Sequence, residues 1–354
     1  MAGNILNILA VLCVRNEGAF ILDWLAHHLA VGVSHVLAFS NDCDDGTDMM
    51  LDRLAMMGHV THLRNDGPYD RGGIQFTALK RADRSDPVAK ADWLLPMDID
   101  EFVNVHVGDH TIPALLRALP DATAIPLTWR NFGNAGVVRY TDVPVPQQFT
   151  RAAPVVMHWP WRSAMFKTLF ANDGTYRNLG VHRPRNPVGG RIKQARWFDG
   201  EGRELPPEFH TSRIFSPFGR SNYALAQMNH YPLSAMESYL LKAARGRAVH
   251  SGQMLGLDYW VERNFNTDED RSILALGPAT TAIRAQFAAD PVLAGLHIDA
   301  VTWRHARLEA LMQEEPYRAL MGRLLMAPPS VPLTPDMAAI LIRHGLRAQV
   351  GKPC

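Results

Sequence analysis

The stretch Asp92-Trp-Leu-Leu-Pro-Met-Asp-Ile-Asp-Glu-Phe102 combines an apolar run with three acids in four residues. The apolar residues Trp93–Met97 are typical of a buried β-strand, and the acids follow at the point where that strand ends. If the strand continues, Asp98 and Asp100 alternate with Ile99 and point to one side of it. Two carboxylates held that close repel each other unless a cation lies between them, and a hard divalent cation with oxygen ligands is the natural guest.

Strands and helices alternate through the first hundred residues. The predicted elements are a strand at 8–14, a helix at 19–31, a strand at 35–40, a helix at 47–57, a strand at 59–63, a helix at 73–83 and a strand at 92–100. This order predicts an α/β fold with a doubly wound, mostly parallel sheet and right-handed crossovers. Ligands of such sheets bind outside the carboxyl ends of the strands, so the polar residues that follow the strands are candidates for a binding site.

The pattern changes beyond the fourth strand. A helix at 112–119 and a strand at 122–129 precede irregular segments rich in Gly, Pro, Trp and Arg, which are typical of a binding surface. From residue 222 onwards the pattern is mainly helical, and four prolines within residues 328–335 indicate a linker before a last short helix. The predicted domains are an α/β domain over residues 1–250 and a mainly helical C-terminal extension over residues 251–354.

Charge and cysteine content limit the class of partner and the compartment. The chain has 36 basic and 35 acidic residues, so it has no basic excess to neutralise the phosphates of a nucleic acid. Its three cysteines are odd in number and far apart, which indicates neither a disulfide framework nor a zinc site and favours the cytoplasm. No signal peptide is recognisable, and no segment approaches the ~18 uncharged apolar residues of a membrane span. We expect no transmembrane segment, while peripheral attachment to the inner membrane face stays open.

Polar residues also follow the first two predicted strands. Val14-Arg-Asn-Glu17 ends the first strand, where loops approach a nucleotide in many α/β folds. Asn16 and Glu17 would equally suit the start of the next helix. Ser40-Asn-Asp-Cys-Asp-Asp-Gly-Thr47 ends the second strand, and its acceptor oxygens could bind a base or a ribose, or simply form a turn.

In this order the three motifs resemble those of a glycosyltransferase of the GT-A fold, in the family 2-like group that is also similar to family 92. Further motifs that match are Trp24-Leu-Ala-His-His28, Trp129-Arg-Asn-Phe-Gly-Asn-Ala-Gly136 and Asn229-His-Tyr-Pro-Leu-Ser-Ala-Met-Glu-Ser-Tyr239. The resemblance spans residues 8–250. It implies a metal-dependent, hexosyltransferase-like enzyme that moves a sugar from a nucleotide-diphosphate donor to a hydroxyl of a glycan, lipid or other acceptor.

The resemblance also implies roles for single residues. Asp98 and Asp100 correspond to the pair that holds Mg²⁺ or Mn²⁺ against the donor diphosphate, and His182 corresponds to a histidine that completes the metal shell. Such an ion would stabilise the charge that grows on the leaving diphosphate, and a nearby carboxylate could accept the proton of the acceptor hydroxyl. Glu101 and Glu237 are the candidates for this base.

A third group of residues is implied to bind the donor nucleotide sugar. The segment after the second strand departs here from the commoner acid-acid-Gly-Ser pattern, although its position still corresponds to the one that reads the base. The residues implied to contact the donor are Asn16 and Glu17 after the first strand, Asn41 and Asp42 after the second strand, and Gln75 and Lys80 on the third helix.

Two other functions stay open. A nucleotidyltransferase also places metal-binding acids at a strand end, but Arg15-Asn-Glu-Gly18 lacks the Gly-rich, basic phosphate loop that this class uses. A non-catalytic carbohydrate-binding protein could keep the fold without turnover, and the intact pair of Asp98 and Asp100 argues against it.

Overall fold

The computed structural model describes residues 6–69, 72–217, 219–245 and 255–350. The predicted boundary at residues 250 and 251 lies outside them. The strands are β1 (Ile8–Val14), β2 (His35–Ser40), β3 (Val60–Arg64), β4 (Trp93–Met97), β5 (Glu101–Val105), β6 (Ala124–Asn131), β7 (Arg151–Ala152), β8 (Phe166–Ala171), β9 (Tyr176–Asn178), β10 (Arg185–Pro187), β11 (Ala226–His230) and β12 (Asp268–Glu269). The helices are α1 (Gly18–Ala30), α2 (Thr47–Met56), α3 (Gly73–Ala82), α4 (Asp86–Lys90), α5 (Ile112–Ala118), α6 (Val145–Gln148), α7 (Glu208–Thr211), α8 (Met236–Arg245), α9 (Leu257–Val261), α10 (Gly277–Ala288), α11 (Pro291–Met312), α12 (Glu315–Met326) and α13 (Pro335–Val350).

An eight-stranded sheet with the order β3-β2-β1-β4-β8-β6-β11-β5 forms the centre of the protein. Six of these strands share one direction, and β8 and β5 run against their neighbours. β1, β2 and β4 are largely continuous apolar runs, which are typical of strands buried on both faces. The predicted α/β class with a mostly parallel sheet is confirmed.

Helices cover both faces of the sheet, as a doubly wound fold requires. Successive side chains of β1 point to opposite faces, so Leu12 packs in the core with α1, α2 and α5, while Val11 packs in the core with α3. Each face of the sheet therefore has a hydrophobic core of its own. The parallel strands end at one open edge of the sheet, between these two cores.

The fourth strand ends earlier than the sequence predicts. β4 stops at Met97, and the next residues form a turn in which the Glu101 amide donates to the Asp98 carbonyl (3.2 Å). The chain then crosses to the far edge of the sheet, where Glu101–Val105 pairs with β11. The predicted strand at 92–100 is therefore wrong in its last residues. A turn, and not strand alternation, sets the directions of Asp98 and Asp100.

A second correction concerns the region that the sequence predicts to be mainly helical. Ala226–His230 is β11, a strand inside the sheet between β6 and β5. Its alternate side chains Gln227 and Asn229 are polar, which hides the strand pattern, yet both are fully buried. Gln227 donates to Asp270 (2.8 Å) and Asn229 accepts from Asn104 (3.3 Å), so distant segments supply a partner for each. The last helix, α13, has 16 residues and is not short.

The predicted C-terminal helical region is confirmed as helical, and it packs directly on the sheet domain. Phe287 and Ala300 belong to the same core as β1 and α1. α11 approaches α1 so closely that a Cβ on Gly18 would lie 2.7 Å from the Cβ of Ala300. None of the helices in the described part of the chain is both long and apolar enough to cross a membrane.

Replacing Phe287 by Ala should lower the free energy of unfolding by about 3–5 kcal/mol, because the ring is fully buried between α1 and the C-terminal helices. Val292→Ala truncates a side chain that is 52% exposed, and should change the free energy of unfolding by less than about 0.5 kcal/mol. Urea titrations followed by circular dichroism measure both values. Similar effects of the two substitutions would contradict a shared core.

Acid should destabilise the protein through His27. Burial holds the pKa of His27 at about 4, below its ordinary 6.5, and the ring contacts the Val103 carbonyl (2.7 Å). Below pH 6.5 the unfolded chain binds a proton that the folded protein does not, so stability is present above this pH and is lost as the pH falls. His27→Gln should reduce the loss between pH 7 and pH 5 by on the order of 2 kcal/mol. The exposed His344→Gln is the control, and equal slopes in urea titrations would refute the argument.

Candidate active site

A cavity of about 480 Å³ opens at the carboxyl ends of the parallel strands, and we call it the strand-end cavity. Val14 ends β1, Asn41 follows β2, Asp98 follows β4, Trp129 lies near the end of β6 and His230 ends β11. These residues come from all parts of the first 230 residues. They meet because strands that run in one direction end at one edge of the sheet.

Positive charge predominates among the described residues that line this cavity. The last turn of α8 supplies two cations, a 3-10 turn at Trp161–Ala164 supplies one, and loops supply the other two. The cationic side chains are Arg15, Arg162, Lys242, Arg245 and Arg263, and the acidic side chains are Glu17, Asp98 and Asp100. A cavity with this excess of cations attracts an anionic ligand.

Asp98 is held from three sides. Its Oδ1 accepts from Gln75 Nε2 (2.8 Å), its Oδ2 accepts from Lys167 Nζ (2.8 Å), and its backbone N–H donates to Glu101 Oε2 (2.8 Å). Lys167 lies on β8 and is fully buried. Burial alone would lower the pKa of Lys167, but the carboxylates of Asp98 and Glu101 raise it above the ordinary value. Lys167 is therefore a permanent cation beneath the acidic turn.

Asp100 is ionised and keeps one oxygen for a ligand. Burial opposes its ionisation, but Lys242 and His230 outweigh this and hold the pKa of Asp100 well below its usual range. Asp100 Oδ2 accepts from Lys242 Nζ (2.6 Å) and lies 3.9 Å from His230 Nε2. Asp100 Oδ1 has no hydrogen bond to any residue of the described ranges.

His182 also lines the strand-end cavity. Its Nδ1 donates to the Phe166 carbonyl (3.0 Å), which leaves Nε2 as an acceptor with no hydrogen bond to a described residue. Burial and the charge of Lys167 lower the pKa of His182 to about 4, so the imidazole is neutral at pH 7. A neutral imidazole whose other nitrogen is tied to a carbonyl is the usual arrangement of a metal-binding histidine.

The two carboxylates predicted as bases do not line the strand-end cavity. Glu101 is fully buried beneath it, where Oε1 accepts from Trp129 Nε1 (2.7 Å) and Oε2 lies 3.6 Å from Lys167 Nζ. Burial raises the pKa of Glu101 well above its ordinary value. Glu237 lies in the first turn of α8 and accepts from the Tyr140 backbone N–H (2.8 Å). Both carboxylates therefore accept hydrogen bonds from other groups of the protein.

The residues predicted to contact the donor divide into three groups. Glu17, Asn41 and Gln75 line the strand-end cavity. Asn16 lines a second cavity, described below. Asp42 and Lys80 line neither cavity: Asp42 accepts from the Tyr69 hydroxyl, and Lys80 is exposed on α3.

Asn41 and Glu17 show how the first two strand ends are joined to the cavity. Asn41 is buried and donates to the Val14 carbonyl (2.8 Å), while its Oδ1 accepts from Asn65 (2.6 Å). The buried Glu17 forms an ion pair with Arg245 of α8, whose side chain is partly exposed. Burial raises the pKa of Glu17 although Arg245 opposes this. Both residues therefore line the cavity and also hold the segments around it in place.

The sequence prediction did not select the cations of the site. Lys242 and Arg245 are three residues apart and so lie on one face of α8. They follow directly after the motif that ends at Tyr239, and that spacing was the signal available in the sequence. Arg15 lies inside the motif Val14-Arg-Asn-Glu17, whereas nothing near Lys167 in the sequence marks it out from an ordinary strand residue.

No protein-family model matches the chain, and no curated protein matches its sequence. Solved structures match at low identity. A mycobacterial protein is 16% identical over 35% of this chain and 41% of its own, with a TM-score of 0.25. A structure of S. aureus TarS is 9% identical over 68% of this chain and 39% of its own, with a TM-score of 0.30. TarS 1-349 in complex with UDP-GlcNAc is 12% identical over 86% of this chain and 84% of its own, with a TM-score of 0.33. The chain thus spans less than half of the first two proteins.

Lys167→Met should lower the free energy of unfolding by about 3–5 kcal/mol, because it leaves Asp98 and Glu101 without their buried cation. Glu101→Gln in the same chain should restore part of this loss, because the amide removes the buried charge that Lys167 compensated. Lys90→Met is the control, since that side chain is 75% exposed. Urea titrations of the wild type, both single variants and the double variant form a double-mutant cycle. Strictly additive effects of the two substitutions would contradict the coupling.

Proposed function

We propose that the protein is a glycosyltransferase that takes a sugar from a nucleotide-diphosphate donor and attaches it to a hydroxyl of a glycan or lipid-linked acceptor. The observation that carries this proposal is the strand-end cavity, whose walls combine Asp98 and Asp100 with five cationic side chains. Acids at a strand end can bind a metal ion or act as a base, and the cations can bind an anion. A diphosphate bound together with a divalent ion would interact with both the acids and the cations of the cavity.

The diphosphate is assigned to the cationic part of the cavity. Arg15, Lys242 and Arg245 lie where β1 ends and α8 passes, and Arg263 adds a further guanidinium. When the bond between sugar and diphosphate breaks, negative charge grows on the phosphate oxygens. Cations that are already fixed by the fold stabilise this charge without reorganisation, and in such reactions this stabilisation usually contributes more to the rate than any other effect.

A divalent ion at this site would have to be bound partly by the substrate. Asp98, Asp100 and His182 would hold Mg²⁺ or Mn²⁺, with Asp100 Oδ1 and His182 Nε2 as the atoms that have no hydrogen bond to a described residue. Within the described ranges no group of three His, Cys, Asp or Glu side chains is gathered closely enough to hold a metal. Mg²⁺ ordinarily uses one or two carboxylates, substrate phosphates and waters. The bound ion would supply further neutralisation of the leaving diphosphate.

The nucleoside part of the donor is assigned to the end of the cavity that β1 and α3 line. Cys13, Val14 and Ile74 give this end an apolar surface, and Asn41 and Gln75 give it amide groups. Burial raises the pKa of the Cys13 thiol to about 12, so it stays neutral and suits an apolar contact. An apolar slot with a few polar groups is the common form of a small-molecule site.

The acceptor hydroxyl must lose a proton during transfer. Among the described residues the carboxylates that line the cavity are Glu17, Asp98 and Asp100. We therefore assign proton acceptance to this group and not to Glu101 or Glu237, whose carboxylates contact only the protein. Glu101 instead positions Asp98 and Trp129 through its two hydrogen bonds.

Nucleotide release from a panel of nucleotide sugars with Mn²⁺ tests the proposed function. One donor should be turned over, and Asp98→Ala and Asp100→Ala should each lower the rate by about 10²–10³-fold, the usual cost of losing one charge-stabilising group. Asp86→Ala is the matched control, because that carboxylate is 89% exposed. Release that survives both substitutions, or no release from any donor, would refute the proposal. Binding of a sugar without release would favour the carbohydrate-binding protein. Release of diphosphate from a nucleoside triphosphate would favour the nucleotidyltransferase.

Chelation tests the metal separately. EDTA should abolish turnover, and Mn²⁺ or Mg²⁺ should restore it. If turnover is insensitive to EDTA, no metal ion is needed. Lys167 and Lys242, which already contact Asp98 and Asp100, then compensate the charge of these carboxylates.

A further inference from the structure

A second cavity of about 440 Å³ lies beside the strand-end cavity, between α1, α8 and α11, and we call it the helix cavity. The two cavities share several wall residues, among them Glu17, Asp100, Lys242 and Arg245. A molecule in the helix cavity would therefore lie next to the proposed donor.

Arg304 of α11 lines the helix cavity and is only 7% exposed. Its guanidinium carbon lies 4.8 Å from the Phe20 ring centre and 4.6 Å from the Tyr140 ring centre. Nε and Nη2 are buried and have no hydrogen-bond partner in the described part of the chain, where Arg304 forms no ion pair either. Stacking on two rings leaves the planar N–H donors unsatisfied.

An unsatisfied buried guanidinium is costly. A buried donor without a partner destabilises the folded protein, and more so when the group is charged. The acids of the cavity do not remove this cost, because Glu17 pairs with Arg245 and Asp100 with Lys242, while Asp44 accepts from Asn16. A ligand that accepts hydrogen bonds from Arg304 would remove it.

Other residues of the helix cavity favour the same kind of ligand. Arg15 Nε is also buried without a partner among the described residues, and Arg307 stands exposed one turn along α11 from Arg304. Trp303 and Phe20 add aromatic surface to the wall. Guanidinium groups recognise phosphate and carboxylate through paired N–H donors, and aromatic rings tolerate the carbon skeleton of a sugar or polyol.

We propose that the helix cavity binds the acceptor through an oxyanion that the acceptor carries, a phosphate or a carboxylate, and that Arg304 donates hydrogen bonds to this group. The identity of the ligand as the acceptor rests on the proposed function, whereas the oxyanion site rests on the unsatisfied donors of Arg304. The neighbouring strand-end cavity places the hydroxyls of such a molecule beside the donor sugar.

Calorimetric titration with inorganic phosphate tests the oxyanion site without any turnover. The wild type should bind phosphate both alone and in a saturating concentration of a nucleoside diphosphate, which occupies the strand-end cavity. Arg304→Met should weaken phosphate binding at least 10-fold while nucleotide binding stays unchanged, and Arg304→Lys should weaken it less. The exposed Arg343→Met is the control. Absence of phosphate binding, its loss on nucleotide addition, or wild-type affinity in Arg304→Met would overturn the site.

Turnover with matched acceptors tests the assignment to the acceptor. Glucose 6-phosphate or glucuronate should accelerate nucleotide release more than glucose in the wild type, and Arg304→Lys should reduce this preference at least 10-fold. Equal acceleration by all three compounds, with phosphate binding retained, would overturn the acceptor role. If no donor is turned over, the proposed function fails while the phosphate titration still decides the oxyanion site. Arg304→Lys also carries the test if circular dichroism shows that Arg304→Met does not fold.

Discussion

The ion cluster of the fully buried Lys167 and Glu101 with the part-exposed Asp98 is the interaction on which the proposed site depends. Lys167 reaches from β8 to the turn that follows β4, and Glu101 holds the backbone of that turn and the indole of Trp129. A buried cation of this kind is stable only with its carboxylates, and the carboxylates are stable only with the cation. Strand ends, turn and cavity wall are therefore fixed by one set of charges.

Asp100 shows the same principle at the opposite side of the turn. Lys242 of α8 contacts its carboxylate, and the Tyr231 backbone N–H donates to its carbonyl (2.8 Å). The two acids of the turn thus contact two different lysines, one under the sheet edge and one on a helix. This arrangement ties the two carboxylates to separate cations, and Asp100 Oδ1 keeps no hydrogen bond to a described residue.

The sequence predicted the parts that depend on local patterns. β1 and β2 have the predicted bounds because each is a continuous apolar run, and Asp98 follows β4 as expected. β11 was not predicted, since Gln227 and Asn229 acquire their partners only from remote segments. The pairing of Lys167 with Asp98 spans 69 residues, so no window of sequence contains both charges. Contacts of this kind follow from the order of the strands, which a single sequence does not reveal.

The crossing from the acidic turn to the far edge of the sheet has a consequence for synthesis of the chain on the ribosome. Asp100 and its partner Lys242 are 142 residues apart. At about 5–20 residues per second, roughly 7–28 s pass before Lys242 follows Asp100. During this time β5 has no neighbour, because β11 pairs with it and is made only shortly before α8. The first four strands can collapse early, while the acidic turn stays hydrated, and the ligand cavity is completed as one of the last steps of folding.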